Sequence, residues 1–230
     1  MTFASHPEEM VTQGLDGLPE RLATFKNKGA RFAKWRAVYA ISKNTPSWQI
    51  IQTNAETLAS YAAICQAAGI VPIVEPEVLI EGDHSLAECQ AVTEKVLQAV
   101  FNALHIHKVL LEYIILKPNM VIPGKTSSTK ASAAEIAEAT LKVMLRTVPA
   151  AVPSINFLSG GQTPEQASEN LNAMHKLKNP LPWNLSFSYA RALQEPSMKA
   201  WLGKAENINV AQQAFLQRAK QNSLASMGQM

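Results

Sequence analysis

Leu110-Leu-Glu-Tyr-Ile-Ile-Leu-Lys-Pro-Asn-Met-Val121 is the stretch on which the fold of this chain turns. Its apolar run stops abruptly at a lysine and a proline, a pattern that predicts a buried strand over 109–116. Pro118 has no N–H to give, so ladder pairing should end there. Lys117 then stands at the C-terminal end of a core strand. A charged ammonium is costly in such a place, and the neutral, nucleophilic amine is favoured. That amine is the reagent Schiff-base chemistry needs. The plainer alternative is a strand-end lysine whose stem lies along the core while its head reaches water.

Outward from this strand, short apolar runs alternate with longer helical ones. Residues 34–41 and 70–75 read as strands upstream, and 155–158 and 184–188 as strands downstream. Helical periodicity covers 53–68, 84–104, 190–201 and 206–224. Ser132-Ala-Ala-Glu135 is a capping box that opens a helix to about Arg146, and Thr163-Pro-Glu-Gln166 caps another with proline in its first turn. This alternation predicts an α/β fold with a parallel sheet and right-handed crossovers.

The polar residues that close these strands fall at equivalent places. Glu75 ends Val71-Pro-Ile-Val-Glu75, Lys117 ends the third strand, Ser159-Gly160-Gly161 follows the fourth, and Ser188 ends the fifth with Arg191 just beyond. In a parallel α/β barrel such ends converge on the C-terminal face, where the active site lies. Lys34 and Arg36, two apart on the first strand, share a face and would add two cations beside Lys117. Clustered cations favour the neutral amine and attract anionic substrates. Two glycines before a helix N-terminus let backbone N–H groups approach a phosphate, and a guanidinium such as that of Arg191 is a good phosphate clamp. Each element also has an ordinary reading. Glu75 and Glu77 could be turn residues around Pro76, Lys34 and Arg36 a solvated edge, Ser-Gly-Gly a common turn, and Arg191 a surface residue. His105 and His107 read as surface residues without metal-site spacing.

Bulk properties fit this picture. The chain has 230 residues, 47% hydrophobic and 17% charged, with a net charge of +3. That is enough apolar material for a core, and residues 1–230 read as a single domain. No Lys/Arg run suggests a nucleic-acid surface, and no apolar stretch reaches membrane-spanning length. The two cysteines, Cys65 and Cys89, do not make a disulfide framework and read as buried thiols. The first residues show no secretory signal pattern, so a cytoplasmic location is expected.

Seven stretches together resemble class I fructose-1,6-bisphosphate aldolase, the metal-free Schiff-base type. They are Thr12-Gln-Gly-Leu-Asp-Gly-Leu18, Phe32-Ala-Lys-Trp-Arg36, Gly69-Ile-Val-Pro-Ile-Val-Glu-Pro-Glu77, Gly82-Asp-His84, Leu116-Lys-Pro-Asn-Met-Val121, Phe157-Leu-Ser-Gly-Gly-Gln162 and Phe187-Ser-Tyr-Ala-Arg191-Ala-Leu-Gln. The resemblance runs from about residue 12 to about residue 228. It implies that Lys117 is the Schiff-base nucleophile and Glu75 the general acid/base, with Glu77 the nearby second glutamate. Lys34 resembles the strand lysine that contacts substrate and aids proton transfer, and Arg36 the arginine beside it. Ser159, Gly160, Gly161, Ser188 and Arg191 resemble the residues that hold the ketose C1-phosphate. The implied reaction cleaves fructose 1,6-bisphosphate to dihydroxyacetone phosphate and glyceraldehyde 3-phosphate, with no cofactor or metal, in an enzyme that is a homotetramer in the family.

The resemblance also implies departures. A (β/α)₈ barrel has eight strands, and this sequence supplies about five of the eight βα units, so a partial TIM barrel incomplete at its N-terminus is expected. The family's first-strand aspartate, its third-strand lysine and its C-terminal tail, which ends in tyrosine in many members, find no counterpart. Ala190 stands where relatives usually have glycine. The expectation is therefore weak catalysis by these residues alone. The alternative is a non-catalytic sugar-phosphate-binding or assembly module, and a transaldolase-like enzyme is disfavoured by the Leu-Lys-Pro-Asn-Met context.

Overall fold

A computed structural model describes residues 1–177 and 180–230. Five parallel strands form one sheet in chain order: β3 (Phe32–Tyr39), β4 (Val71–Val78), β5 (Ile115–Leu116), β6 (Ser154–Phe157) and β7 (Asn184–Phe187). A small antiparallel hairpin, β1 (Thr2–Phe3) and β2 (His6–Met10), precedes them. The connections carry α2 (Trp48–Ala67), α3 (Leu86–Ile106), α4 (Ala133–Thr147) and α5 (Pro164–Lys176). Helix α1 (Leu18–Asn27) comes before the sheet, and α6 (Arg191–Trp201) and α7 (Ile208–Ala225) follow it. Sequential strand order with a helix in each crossover is the construction of a (β/α)₈ barrel, here an arc of five units.

Strand alternation separates two faces. Trp35, Ala37, Tyr39, Val74, Leu116, Ile155, Phe157 and Leu185 point outward under the helices, and all are buried. They join Leu58, Ala62, Leu97, Val100, Leu104, Ile136 and Met144 in one apolar cluster. Burying an aliphatic or aromatic side chain of this size contributes roughly 1.5–3 kcal/mol. The other face is more open: Phe32 is 64% exposed and Lys34 and Arg36 are exposed as well.

The anticipated helix starts are present. Ser132 and Glu135 form a reciprocal capping box on α4, as do Thr163 and Gln166 on α5. Helix α2 begins earlier than its periodicity suggests, because Ser47 caps it by accepting the Ile50 N–H. Helix α1 and the hairpin were not anticipated, although Gly17-Leu18-Pro19 carries the proline-in-first-turn signal of a helix start.

The third strand differs most from expectation. Only Ile115–Leu116 pair, and Leu111–Tyr113 form a 3-10 turn. The side-chain amide of Gln66 accepts from the Leu110 N–H at 3.0 Å and donates to the Leu110 carbonyl at 2.8 Å. Leu110 thus meets its backbone hydrogen bonds without a ladder, and Glu112 and Tyr113 face solvent. The ladder's other end falls as predicted. Lys117 N donates to Val74 O at 2.8 Å, and Pro118 has no N–H to continue it. Both cysteines are buried free thiols, and burial pushes the Cys65 thiol up to about 11.

Candidate active site

The second strand does not end at Glu75 as the sequence suggests: β4 pairs with β3 through Pro76 and Glu77 to Val78, so both glutamates are strand residues and not turn residues, and the sheet register itself brings the charges together. Arg36 pairs with Glu75 and Val38 with Glu77 across β3 and β4, and Val74 pairs with Leu116 across β4 and β5. Glu75 therefore lies between Lys34 on one side and Lys117 on the other. Its carboxylate reaches Lys117 Nζ at 3.2 Å through Oε1 and Lys34 Nζ at 3.1 Å through Oε2. The Glu75 side chain is 5% exposed and that of Lys117 is 13% exposed. A buried carboxylate shared by two amines can give up or accept a proton from either with little motion. Arg36 and Glu77 form a separate pair, Nε to Oε2 at 2.5 Å, and this hydrogen bond holds the guanidinium proton more firmly than usual.

The remaining sequence-derived residues sit at the next two strand ends. Leu158 N donates to Pro118 O, and Ser188 N to Phe157 O, so the four C-terminal ends stay in step. Ser159 is buried, and Gly160 and Gly161 have φ of +54° and +80°. A Cβ on Gly161 would lie 2.8 Å from Ile80 Cγ2, so both conformation and space require glycine there. The turn leads into the N-terminus of α5, while Ser188 leads through Tyr189 and Ala190 into α6, which begins at Arg191. Among the described residues, no hydrogen bond joins this cradle to the Lys34–Glu75–Lys117 cluster.

Three supporting residues had no assigned role from sequence. Buried Asn119 accepts from Val78 N at 3.0 Å and donates to Thr93 Oγ1 and Met120 O, each at 3.1 Å, tying the end of β4 to the segment after Lys117. Gln162 donates to Ser159 O at 2.9 Å and accepts from Asn170 Nδ2 at 2.6 Å, bracing the cradle turn. Arg218 on α7 is buried behind the cradle. A polar residue inside an apolar segment was the available signal for Asn119; nothing local marks Arg218.

The loops beyond β4 and β5 are riveted together. Lys125 N donates to Ile80 O at 2.7 Å, Thr126 N to Gly82 O at 3.0 Å and Gly124 N to His84 O at 2.8 Å. A Cβ on Gly124 would fall 2.4 Å from Gly82 O, so the two backbones touch only because no side chain intervenes. His84 is buried at this contact and neither ring nitrogen finds a partner of good geometry among the described residues. Burial holds its pKa below the ordinary value; the Ile122 backbone and nearby Glu88 and Asp83 offset only part of that effect.

Two further features lie away from the strand ends. An apolar groove of about 620 Å³ between α6 and α7 is lined by Met198, Trp201, Ile208 and Phe215 and by no titratable side chain. His107 pairs with Glu56 at the surface, with Nε2 2.8 Å from Oε2, and His105 is exposed. Among the described residues, no group of three His, Cys, Asp or Glu side chains is placed to hold a metal ion.

A strand-end lysine bridged by glutamate to a second lysine, beside a Ser-Gly-Gly turn at a helix N-terminus, can be compared with known proteins. The family model for fructose-bisphosphate aldolase class-I matches residues 1–230. The chain belongs to the class I fructose-bisphosphate aldolase family. It is 59% identical over 221 residues to fructose-bisphosphate aldolase B of Gallus gallus, covering 96% of this chain and 61% of the relative. It is 56% identical over 220 residues to fructose-bisphosphate aldolase C of Rattus norvegicus, with the same coverage of 96% and 61%. A solved structure of fructose-bisphosphate aldolase from Plasmodium falciparum, in complex with TRAP and a small molecule inhibitor, superposes with a TM-score of 0.97 at 48% identity. That match covers 100% of this chain and 66% of the solved one. The chain thus spans about 61% of the length of the curated relatives it matches. It has the aldolase barrel architecture, with five of its strands in one parallel sheet.

Proposed function

We propose that this chain carries the Schiff-base chemistry of fructose-bisphosphate aldolase, the reversible cleavage of fructose 1,6-bisphosphate to dihydroxyacetone phosphate and glyceraldehyde 3-phosphate. The observation that carries the reading is the shared Glu75 carboxylate, 3.2 Å from Lys117 Nζ and 3.1 Å from Lys34 Nζ. In this reading the Lys117 amine adds to the ketone carbonyl, and Glu75 supplies the proton with which the carbinolamine oxygen leaves as water. The protonated imine then draws in the electron pair of the breaking C3–C4 bond while Glu75, a carboxylate once its proton has left with the water, takes the C4 hydroxyl proton, and the aldehyde departs. The enamine left on Lys117 takes a proton at carbon, and water hydrolyses the imine to release the second triose. Lys34 balances the Glu75 charge as its proton moves, and the Arg36–Glu77 pair borders the same inner face. Ser159, Gly160, Gly161, Ser188 and Arg191 hold the C1-phosphate by backbone N–H groups, hydroxyls and a guanidinium.

The same proposal takes residues 1–230 as one domain, supported by the single apolar cluster that runs from Leu18 on α1 to Ala225 on α7. A cytoplasmic setting is supported by an Arabidopsis thaliana relative named cytosolic, 56% identical over 220 residues. Among the described residues, no helix is long and apolar enough to cross a membrane. Homo-oligomer formation belongs to this reading and is measured by light scattering.

Borohydride reduction with dihydroxyacetone phosphate tests the chemistry. A mass increase localised to Lys117 is expected, and Lys117→Met should abolish it, a loss of at least about 10³-fold because the nucleophile itself is removed. Labelling that persists in Lys117→Met, or no adduct in the unsubstituted chain, sinks the proposal in favour of a non-catalytic sugar-phosphate binder.

A further inference from the structure

Arg218 sits on α7, outside every strand end, yet it is 6% exposed and is the hub of the polar contacts behind the cradle. Its Nη2 donates to Pro164 O at 2.5 Å, in the first turn of α5, and to Ser168 Oγ at 2.7 Å, one turn further on. Its Nε donates to Ala192 O at 3.3 Å, in the first turn of α6. Nη1 donates to Gln221 Oε1 at 2.6 Å, which anchors the guanidinium to α7 itself. Ser168 Oγ donates in turn to Asn222 Oδ1 at 2.6 Å. Nearby, Tyr189 donates to Ala167 O at 2.8 Å, a second tie between the two sides.

One planar group thereby joins the first turn of the helix after Gly161 to the first turn of the helix that begins at Arg191. We propose that Arg218 is a positioning residue for phosphate: it fixes the spacing between the Ser159–Gly161 turn and Arg191. The inference rests on the phosphate-cradle reading of those residues and goes beyond it by naming what holds the two halves in register.

Two physical points favour this over simple packing. A rigid planar fork bridges carbonyls on two helices with fixed geometry, whereas a lysine ammonium on a flexible stem is a point charge that sets their spacing less well. The charge is also poorly compensated. The nearest carboxylate, Glu165, is 3.9 Å away with its side chain 69% exposed. A buried cation whose one paired carboxylate is mostly solvent-exposed is only partly compensated. A bound anion at the adjoining cradle offsets part of that cost through Coulomb attraction.

The test is a titration of the full chain with inorganic phosphate, followed by the NMR shifts of the Gly160 and Gly161 amides. The unsubstituted chain, Arg218→Lys and Arg191→Ala are compared, with borohydride trapping of unphosphorylated dihydroxyacetone on Lys117 as the control. Removing charge-assisted hydrogen bonds in Arg218→Lys should weaken phosphate binding about tenfold, while trapping of the unphosphorylated ketone stays within about twofold. Phosphate affinity unchanged in Arg218→Lys but lost in Arg191→Ala overturns the inference and leaves the cradle standing. A parallel loss of phosphate binding and ketone trapping in Arg218→Lys also overturns it, because the residue then supports the fold as a whole. Amides of Gly160 and Gly161 that ignore phosphate in the unsubstituted chain sink the cradle reading and the inference with it. If Arg218→Lys does not fold, Ser168→Ala decides. It should weaken phosphate binding about threefold because the guanidinium loses its hydrogen bond to Ser168, and unchanged affinity there overturns the inference.

Discussion

The two halves of the candidate site are built in opposite ways. Lys34, Glu75 and Lys117 are side chains on adjacent strands, and the sheet register puts Glu75 3.1 Å from Lys34 and 3.2 Å from Lys117. The cradle is made largely of backbone, on turns after β6 and β7, and its geometry is imposed from behind by Gln162, Asn170 and Arg218. The first half depends on which residue types are present. The second depends on conformation, and conformation can be damaged from a distance.

Substitutions should therefore separate the halves. The largest effect expected is on the strand half: Glu75→Gln should slow adduct formation on Lys117 about 10²-fold, the usual size of a lost acid/base group. Phosphate affinity at the Gly160 and Gly161 amides should hardly change. Loss of both together would show that the halves are one unit. The mirror experiment is Gly161→Ala. With φ at +80° and Ile80 2.8 Å from the new methyl, the turn must shift. Strain of that kind costs about 1–3 kcal/mol, so phosphate affinity should fall about tenfold while unphosphorylated ketone is still trapped on Lys117. Normal phosphate binding in Gly161→Ala would remove the case for a backbone cradle.

The smallest effect distinguishes the halves by acid sensitivity. Burial lowers the pKa of His84, beside the strand half, and of His175, whose Nε2 lies 3.1 Å from Leu185 O on the cradle side. Folded-state values below the ordinary 6.5 mean that the unfolded chain takes up protons first as pH falls. The stability linked to both groups is thus complete above about 6.5 and is lost as pH falls through and below it. A melting midpoint that drops by a few degrees on acidification is expected, and His84→Asn and His175→Asn should each flatten part of the drop. Equal slopes in all three proteins would show that neither imidazole matters.

How much of this was legible in the sequence follows the same division. The closeness of Lys117 and Glu75 was readable because each charge follows an apolar run on a neighbouring strand, although each alone also has an ordinary reading as a snorkelling or turn residue. Strand ends of one polarity also fixed the face on which such residues gather. The capping boxes at Ser132 and Thr163 were readable because a cap acts over three residues. The shortening of the third strand to Ile115–Leu116 was not, since it depends on Gln66, far away in sequence, serving both backbone groups of Leu110. Arg218 was equally silent. Its partners lie on α5 and α6, and in sequence it is one more cation on a helix. Local signals report local chemistry, and contacts made across the fold leave no mark on their neighbours.

The riveted loops beyond β4 and β5 carry a consequence for how a ketose would be received. With Ile80, Gly82 and His84 bonded to Lys125, Thr126 and Gly124, and with Gly124 pressed against Gly82, that rim behaves as a fixed jaw. In the proposed reading, a ketose arriving at the strand ends meets on that rim backbone already bonded to backbone, with no side chain between Gly82 and Gly124 left to rearrange.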